Sequence, residues 1–221
     1  QLVLLAYQEE LNLSEELLLS LSAGLIEGLG TLAFAISGIR HAAEKHFDWF
    51  GGYVCGFAVA IGGGTIRDTI LGVKPFWTTD IRYLFVTAIA LFLAIILRKR
   101  MKKLNNAWFV FDTLGLAFFT IAGMQKTLTL GFPFWVAIVM GCITGVAGGV
   151  IRDVLLNNEP VILQKEIYAI ASVAGGVLYW ILLVLNFSIT FTVITTFILI
   201  VLIRFVAVYY HIQLPILRDE D

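Results

Sequence analysis

The sequence predicts an all-α polytopic membrane protein with seven transmembrane helices. Hydrophobic residues make up 59% of its 221 residues and charged residues 14%, whereas roughly a quarter of a soluble domain is charged. The apolar residues form runs that are too long for ordinary core helices, and short polar segments separate them. An internal repeat relates two groups of three runs. These observations predict an inverted 3+3 repeat plus one extra C-terminal helix.

Seven apolar runs are predicted to cross the bilayer. They lie at residues 17–39, 50–71, 81–98, 107–126, 132–156, 167–185 and 189–210. The connecting segments are short, so any function must be performed inside the helical bundle. Residues 1–16 are predicted to form an external lead-in and not a signal peptide, because Glu9 and Glu10 occupy a region that is basic in such peptides. Residues 211–221 are predicted to form a cytoplasmic tail.

The distribution of Lys and Arg predicts the orientation of the chain. The densest basic segment lies between the third and fourth spans and contains Arg98, Lys99, Arg100, Lys102 and Lys103. Because basic loops stay on the cytoplasmic side, the N-terminus is predicted outside and the C-terminus inside. Membrane lipids are predicted partners. A net charge of −1 argues against a nucleic-acid partner.

Residues 17–98 and 107–185 are two copies of one three-helix unit, related by an offset of 85 residues. The offset aligns Gly63-Gly64-Thr65-Ile66-Arg67-Asp68 with Gly148-Gly149-Val150-Ile151-Arg152-Asp153. It also aligns Glu27 with Asp112, Pro75 with Pro160 and Tyr83 with Tyr168. Because each unit has an odd number of spans, the second must enter the membrane from the opposite side. In known inverted repeats the functional site lies between the two units.

Glycine clusters in the second and fifth spans are candidate pore-lining segments. They consist of Gly62, Gly63 and Gly64, followed by Thr65, and of Gly148 and Gly149. Because glycine in a helix interior costs about 1 kcal/mol relative to alanine, the clusters predict a bend or break in each helix, hence kinked helices that line a cavity. Close packing of helices through small residues is the alternative.

Four charges follow the glycines, namely Arg67, Asp68, Arg152 and Asp153. A charge at the bilayer centre costs about 2.5 to 3.5 kcal/mol, so they cannot all face lipid. Adjacent helical residues point apart, which predicts that Arg67 pairs with Asp153 and Arg152 with Asp68. The alternative is that each Arg-Asp pair lies near a membrane surface, where it caps a helix or contacts lipid headgroups.

Glu27 and Asp112 are candidate intramembrane acids, as cation ligands or proton carriers, with an interfacial structural role as the alternative for Asp112. Arg204 is expected to extend towards the cytoplasmic interface. The sequence contains no nucleophile–base pair, histidine cluster or phosphate-binding loop, so neither an enzyme, a metal site nor a cofactor is predicted. Cys55 and Cys142 are predicted to be packing residues.

The paired segments GGGTIRDTILGVKPFW and AGGVIRDVLLNNEPV resemble the trimeric intracellular cation (TRIC) channel family. More narrowly, residues 20–210 are similar to its short prokaryotic members, also known as tandem "glycine transporter" domains. The resemblance implies a homotrimer in a prokaryotic inner membrane. Each protomer would carry its own pore for K⁺ and other monovalent cations. The glycines and Arg-Asp pairs would be pore-associated, with the kinked second and fifth helices at the constriction.

Two other functions remain open at this stage. A secondary transporter of a small solute such as glycine also fits inverted repeats with interrupted helices. A channel requires a continuous, weakly binding path, whereas a transporter requires an occluded site and two conformations. A structural or lipid-interacting protein is a third class, and it predicts that neutralising Asp68 or Asp153 leaves permeability unchanged.

Overall fold

A computed structural model describes residues 13–98, 107–164 and 167–214. These ranges contain seven α-helices, which we number in chain order. They are α1 Leu13–Glu44, α2 Trp49–Ile70, α3 Arg82–Ile96, α4 Ala107–Thr129, α5 Phe134–Leu155, α6 Ala169–Val184 and α7 Ile189–Tyr209. The all-α prediction with seven helices is confirmed. The helix α1 begins within the predicted lead-in and continues past position 39 to Glu44.

Five helices are long and apolar enough to cross a membrane, namely α1, α2, α4, α5 and α7. The third helix of each repeat is apolar but shorter, with 15 residues in α3 and 16 in α6. Such helices are about 22 to 24 Å long, less than the roughly 30 Å hydrocarbon core. The segments that flank them must complete the crossing, or the bilayer must thin. Five basic residues predicted the orientation, and four of them lie outside the described residues, namely Lys99, Arg100, Lys102 and Lys103.

Local sequence explains where several helices begin and end. The Oδ1 atom of Asp48 accepts a hydrogen bond from the Gly51 amide at 2.7 Å and caps α2. Helices α2 and α5 end at positions related by the repeat, where Gly72 and Asn157 have φ angles of 71° and 52°. Glycine and asparagine tolerate this left-handed conformation best. A short 3₁₀ turn follows each helix, at Phe76–Thr78 and Val161–Leu163.

Helices α2 and α5 are antiparallel and cross at the glycine clusters. A Cβ atom on Gly63 would overlap the Thr144 carbonyl oxygen. A Cβ atom on Gly148 would lie 2.8 Å from the Val59 carbonyl oxygen, closer than real Cβ contacts. The 85-residue offset relates Gly63 to Gly148 and Val59 to Thr144, so the two contacts are equivalent. The crossing therefore lies on the pseudo-twofold axis. Since the helices are antiparallel, their C-terminal Arg-Asp pairs lie at opposite ends of the crossing.

Contacts within each repeat are also duplicated. A Cβ atom on Gly56 would lie 2.9 Å from the Ala35 carbonyl oxygen, and one on Gly141 would lie 2.8 Å from the Thr120 carbonyl oxygen. These pairs join α1 to α2 and α4 to α5 at equivalent positions. The duplication that the sequence predicts is therefore visible as repeated backbone contacts.

The glycine clusters do not interrupt the helices, since α2 and α5 are each α-helical from end to end. Of the predicted bend or break, the break is therefore absent, whereas the bend stays a prediction. A Cβ atom on Gly62 would overlap Ile151, one on Gly64 would overlap Phe76, and one on Gly149 would lie 2.6 Å from the Tyr168 hydroxyl. Close packing, the alternative explanation, accounts for these glycines in this conformation.

Replacing Gly63 by alanine is expected to destabilise the protein by about 1 to 3 kcal/mol, because the new methyl group meets the α5 backbone. Gly52 is a matched control on the same helix, where a Cβ atom would lie 4.0 Å from its nearest neighbour, in Ile39. Gly52→Ala is expected to be neutral or to stabilise by up to about 1 kcal/mol. Thermal unfolding in detergent measures both. Equal effects would show that the crossing is not tightly packed.

Candidate functional site

The first charge cluster comprises Glu27, Arg67, Asp68 and Lys126, which come from α1, α2 and α4. The Arg67 guanidinium donates from Nε to Asp68 Oδ1 at 2.7 Å and from Nη2 to Glu27 Oε1 at 3.0 Å. The Lys126 ammonium donates to Asp68 Oδ2 at 2.9 Å. Two carboxylates and two cations thus form one connected group. Lys126 comes from the second repeat, whereas the other three residues come from the first.

Backbone and aromatic groups complete this cluster. The 3₁₀ turn after α2 folds back so that the Phe76 amide donates to Asp68 Oδ2 at 2.8 Å. The Tyr83 hydroxyl donates to Glu27 Oε2 at 3.1 Å. The Phe76 ring lies 5.7 Å from the Arg67 guanidinium and packs edge-on against Tyr83. Gly64 permits this arrangement, because a side chain there would occupy the space of the Phe76 ring.

The second charge cluster comprises Asp112, Arg152 and Asp153, and it repeats the same bonds. Arg152 donates from Nε to Asp153 Oδ1 at 2.8 Å and from Nη1 to Asp112 Oδ1. The Val161 amide donates to Asp153 Oδ2 at 3.0 Å, as Phe76 does in the first cluster. The Tyr168 hydroxyl donates to Asp112 Oδ1 at 3.3 Å. Each of these residues lies 85 positions after its counterpart.

The second cluster also has contacts that the first lacks. The Nη1 atom of Arg152 donates to Ser37 Oγ at 3.0 Å, and the guanidinium lies 5.1 Å from the centre of the Trp108 ring. An open cavity of about 510 Å³ borders this end of the bundle. Its lining includes His41, Trp108, Asp153, Asn158 and Glu159.

Five of the seven charged side chains in the two clusters are buried, and the Glu27 side chain is 16% exposed. Arg67, Asp68, Asp112 and Arg152 are 0% exposed and Asp153 is 1% exposed, whereas the Lys126 side chain is 29% exposed. Arg67 and Arg152 lie in the last helical turn, as the alternative prediction held. They contact protein carboxylates within the bundle, however, and not the lipid headgroups that this alternative invoked. A buried charge requires such pairing, because removing one partner typically costs about 3 to 5 kcal/mol.

The predicted cross-pairing of Arg67 with Asp153 and of Arg152 with Asp68 is wrong. The antiparallel crossing places the two Arg-Asp motifs at opposite ends, so the proposed partners cannot meet. Each arginine instead bonds to the aspartate next to it in the sequence. The rule that adjacent residues point apart describes Cβ directions, whereas the long arginine side chain can fold back to its neighbour.

The remaining predicted site residues lie around the crossing. The Thr65 hydroxyl donates to the Ile61 carbonyl at 2.7 Å and accepts from Trp77 Nε1 at 3.0 Å, so it anchors the segment after α2. Gly148 packs against Phe34, and Gly149 makes room for the Tyr168 hydroxyl that reaches Asp112. In this conformation these glycines face other helices and not a cavity.

Several residues of the site were not singled out from the sequence. Lys126 lies at the end of the predicted fourth span, and Tyr83 and Tyr168 align the repeats, but none of the three is a predicted site residue. The expected extension of Arg204 to the interface is also wrong. Arg204 is buried between the Phe109 and Tyr168 rings, at 5.0 and 4.7 Å, and donates to the Ile167 carbonyl. For Lys126, the 85-residue offset is a signal that the sequence does contain, because it aligns Lys126 with His41.

No grouping of three or more His, Cys, Asp or Glu residues able to hold a metal occurs in the described ranges. The apolar helices and the two charge clusters together define a multi-pass membrane protein with charged sites at both ends of its repeat interface.

The chain belongs to the glycine transporter family, the short prokaryotic branch of the TRIC channel family, and the family model matches residues 25–99 and again 109–183. A UPF0126 membrane protein of Vibrio cholerae is 40% identical over 195 residues, 86% of this chain and 81% of that protein. The UPF0126 inner membrane protein YadS of Escherichia coli K12 is 39% identical over 192 residues, 85% of this chain and 92% of that protein.

Solved structures agree with this assignment. The TRIC channel orthologue of Rhodobacter sphaeroides aligns with a TM-score of 0.81 and 27% identity over 86% of this chain and 98% of that one. A second structure, described as the basis for conductance through TRIC cation channels, aligns with a TM-score of 0.77 and 30% identity over 90% and 98%. The resemblance predicted from the two glycine motifs is confirmed.

The bonds within a cluster can be tested by a double-mutant cycle on unfolding free energy. Arg67→Gln and Glu27→Gln are expected to couple by about 0.5 to 3 kcal/mol, because their side chains are in contact. Arg67→Gln and Asp153→Asn are expected to be additive within about 0.5 kcal/mol, because they lie at opposite ends of the crossing. Strong coupling of Arg67 to Asp153 would restore the rejected cross-pairing.

Proposed function

We propose that this protein is a monovalent cation channel for K⁺, with a path inside each protomer at the interface of the inverted repeats. The observation that carries the proposal is the pair of buried charge clusters at opposite ends of the α2–α5 crossing. Carboxylates at both ends can attract cations, and the arginines keep the sites from binding them tightly, which a conducting path requires. The structural similarity to TRIC cation channels supports the same class.

Phe34 and Phe119 are proposed to close the middle of the path in this conformation. Their rings stack with centroids 5.2 Å apart, and each side chain is 1% exposed. Phe34 lies on α1 between Glu27 and Ser37, and Phe119 lies on α4 between Asp112 and Lys126. The aromatic pair therefore lies midway between the two clusters. Apolar constrictions of this kind close channels by excluding water.

Opening requires the two repeats to separate at this pair, and the glycines make such movement feasible. Helices α2 and α5 meet through backbone at Gly63 and Gly148, and the Ile151 side chain of α5 packs on Gly62. We propose that the glycines line the path once the helices move apart. The Lys126 bond to Asp68 is the tether at one end, because it joins the second repeat to the first and the Lys126 side chain is 29% exposed.

A secondary transporter of a small solute such as glycine is the second candidate. The observation that favours it is the occluded centre, where the Phe34 and Phe119 rings stack between the two charge clusters. Alternating access would open one cluster at a time. The two functions differ in whether both ends open together.

The assembly and orientation are also proposed. We expect a homotrimer, as in the trimeric relatives, in which lipids and neighbouring protomers cover the exposed apolar side chains. We expect neither enzyme activity nor a nucleic-acid partner. We propose the inner membrane of a prokaryote, with the N-terminus outside. Native mass spectrometry tests the trimer, and labelling of single cysteines in the two tails tests the orientation.

Recordings from the purified protein in planar bilayers test the function. The channel proposal predicts unitary currents with a reversal potential that follows the K⁺ gradient. Saturable uptake of glycine into proteoliposomes without unitary currents would replace the channel by the transporter. Absence of both activities would favour the structural class.

Lys126→Gln is expected to increase the open fraction of the channel, because it removes the ammonium that bonds to Asp68 across the repeats. A charge-assisted bond of about 1.5 kcal/mol corresponds to roughly a tenfold increase. Arg82→Gln is the matched control, because Arg82 is 84% exposed and bonds to Asp80 at the surface. Single-channel open times measure both variants. The tether is rejected if the two variants give the same open fraction.

A further inference from the structure

His41 occupies the position in the first repeat that Lys126 occupies in the second. The 85-residue offset aligns the two residues, and each lies on the helix that precedes a glycine-rich helix of its own repeat. Lys126 crosses the pseudo-twofold axis to bond Asp68 of the other repeat. The same symmetry operation directs His41 towards Asp153. The two ends of the protein therefore differ chemically at one equivalent position.

The residues around His41 agree with its being directed towards Asp153. His41 and Asp153 line the same cavity of about 510 Å³. The imidazole packs on Trp108 with centroids 5.0 Å apart, and its Nε2 atom lies 3.1 Å from Asn158 Nδ2. The Asn158 backbone amide in turn donates to the Asp153 carbonyl at 2.8 Å. His41 Nδ1 is buried without a hydrogen-bond partner among the described residues.

The two clusters differ in charge. In the first, Glu27 and Asp68 are bonded to two cations, Arg67 and Lys126. In the second, Asp112 and Asp153 are bonded to Arg152, and within the described part of the chain no second cation bonds to either carboxylate. A protonated His41 would supply the missing positive charge at the equivalent position. A neutral His41 leaves the second cluster with excess negative charge.

We propose that His41 is a proton-operated counterpart of Lys126, which closes the second end of the path when it is protonated and leaves it open when it is neutral. This inference rests on the proposed channel function and adds the regulation of one end. Histidine is suited to the role because its charge changes near pH 6.5. Lysine keeps its charge throughout this range, so the first end has a permanent tether.

The groups that face His41 determine the direction of the effect. Burial opposes the imidazolium most strongly, and Arg152 on α5 and Lys45 after α1 also oppose it. Asp153 on α5 and Asp112 on α4 attract it. Glu159 also lines the cavity. On α1 itself, Arg40 is paired with Glu44 at 3.5 Å.

Protonation also changes the hydrogen bond to Asn158. Neutral His41 can accept the Nδ2 hydrogen at Nε2, whereas the imidazolium has only donors. Acid therefore breaks this bond or flips the amide, and the imidazolium is free to turn towards Asp153. The added positive charge at the mouth also repels incoming cations. Both effects lower the cation current.

The test is K⁺ current through the purified full-length protein in planar bilayers, with pH changed on one side at a time. Lowering the pH from 8 to 5.5 on the His41 side is expected to reduce the current about tenfold, the change expected for one charge-assisted bond. The same change on the Lys126 side is expected to have little effect. Equal sensitivity on both sides, or none on either, would overturn the proposal.

Exchanging the two residues sharpens the test. His41→Gln keeps an amide near Asn158 but cannot titrate, so the acid response is expected to disappear. His41→Lys is expected to give low current at every pH, and Lys126→His is expected to transfer acid sensitivity to the other side. His46→Asn is the matched control, because His46 is exposed after the same helix and does not line the cavity. An unchanged acid response in His41→Gln would overturn the proposal.

NMR needs no ion current, so it tests the His41 proposal separately from the proposed channel function. If the wild type carries no current, the proposed function fails, and NMR of the full chain in nanodiscs still tests the proton-operated pair. The background His46→Asn with His211→Gln leaves His41 as the sole histidine. The Asn158 side-chain amide signal is expected to change with the same midpoint as the His41 imidazole. A titration of His41 that leaves Asn158 unaffected would overturn the pair.

Discussion

The backbone contact between α2 and α5 is the constraint on which the rest of the structure depends. Gly63 meets the Thr144 carbonyl and Gly148 meets the Val59 carbonyl, so the two helix backbones are in direct contact at these positions. Because they are antiparallel, the contact fixes the pseudo-twofold axis and places one Arg-Asp pair at each end. The inverted repeat thus determines both the location and the similarity of the two charge clusters.

Each cluster is stable because its buried charges are paired. Asp68 accepts from Arg67, Lys126 and the Phe76 amide, and Asp153 accepts from Arg152 and the Val161 amide. The 3₁₀ turns that supply these amides follow prolines at equivalent positions. Charge, turn and glycine are therefore parts of one duplicated unit. Functional differences between the ends must arise where the duplication is imperfect, as at His41 and Lys126.

Much of the fold could be predicted from the sequence, because long apolar runs and an ungapped repeat have few structural solutions. The site was predictable in its residues but not in its pairing. The sequence predicts Arg67 and Asp153 as partners because the pairing rule for helices considers only Cβ directions. The antiparallel crossing, however, places their two motifs at opposite ends. The glycines were predictable as special positions. Whether they interrupt a helix or let it approach another depends on the neighbouring element, which the local sequence does not contain.

The central claim is that cations pass between the repeats, through the point where Phe34 and Phe119 now stack. A reversible disulfide tests it most directly, using Phe34→Cys with Phe119→Cys in a chain whose Cys55 and Cys142 are replaced by alanine. The account predicts that oxidation abolishes the K⁺ current of this double variant and that reduction restores it, with each single variant unaffected by oxidant. Undiminished current through the fully cross-linked protein would contradict it.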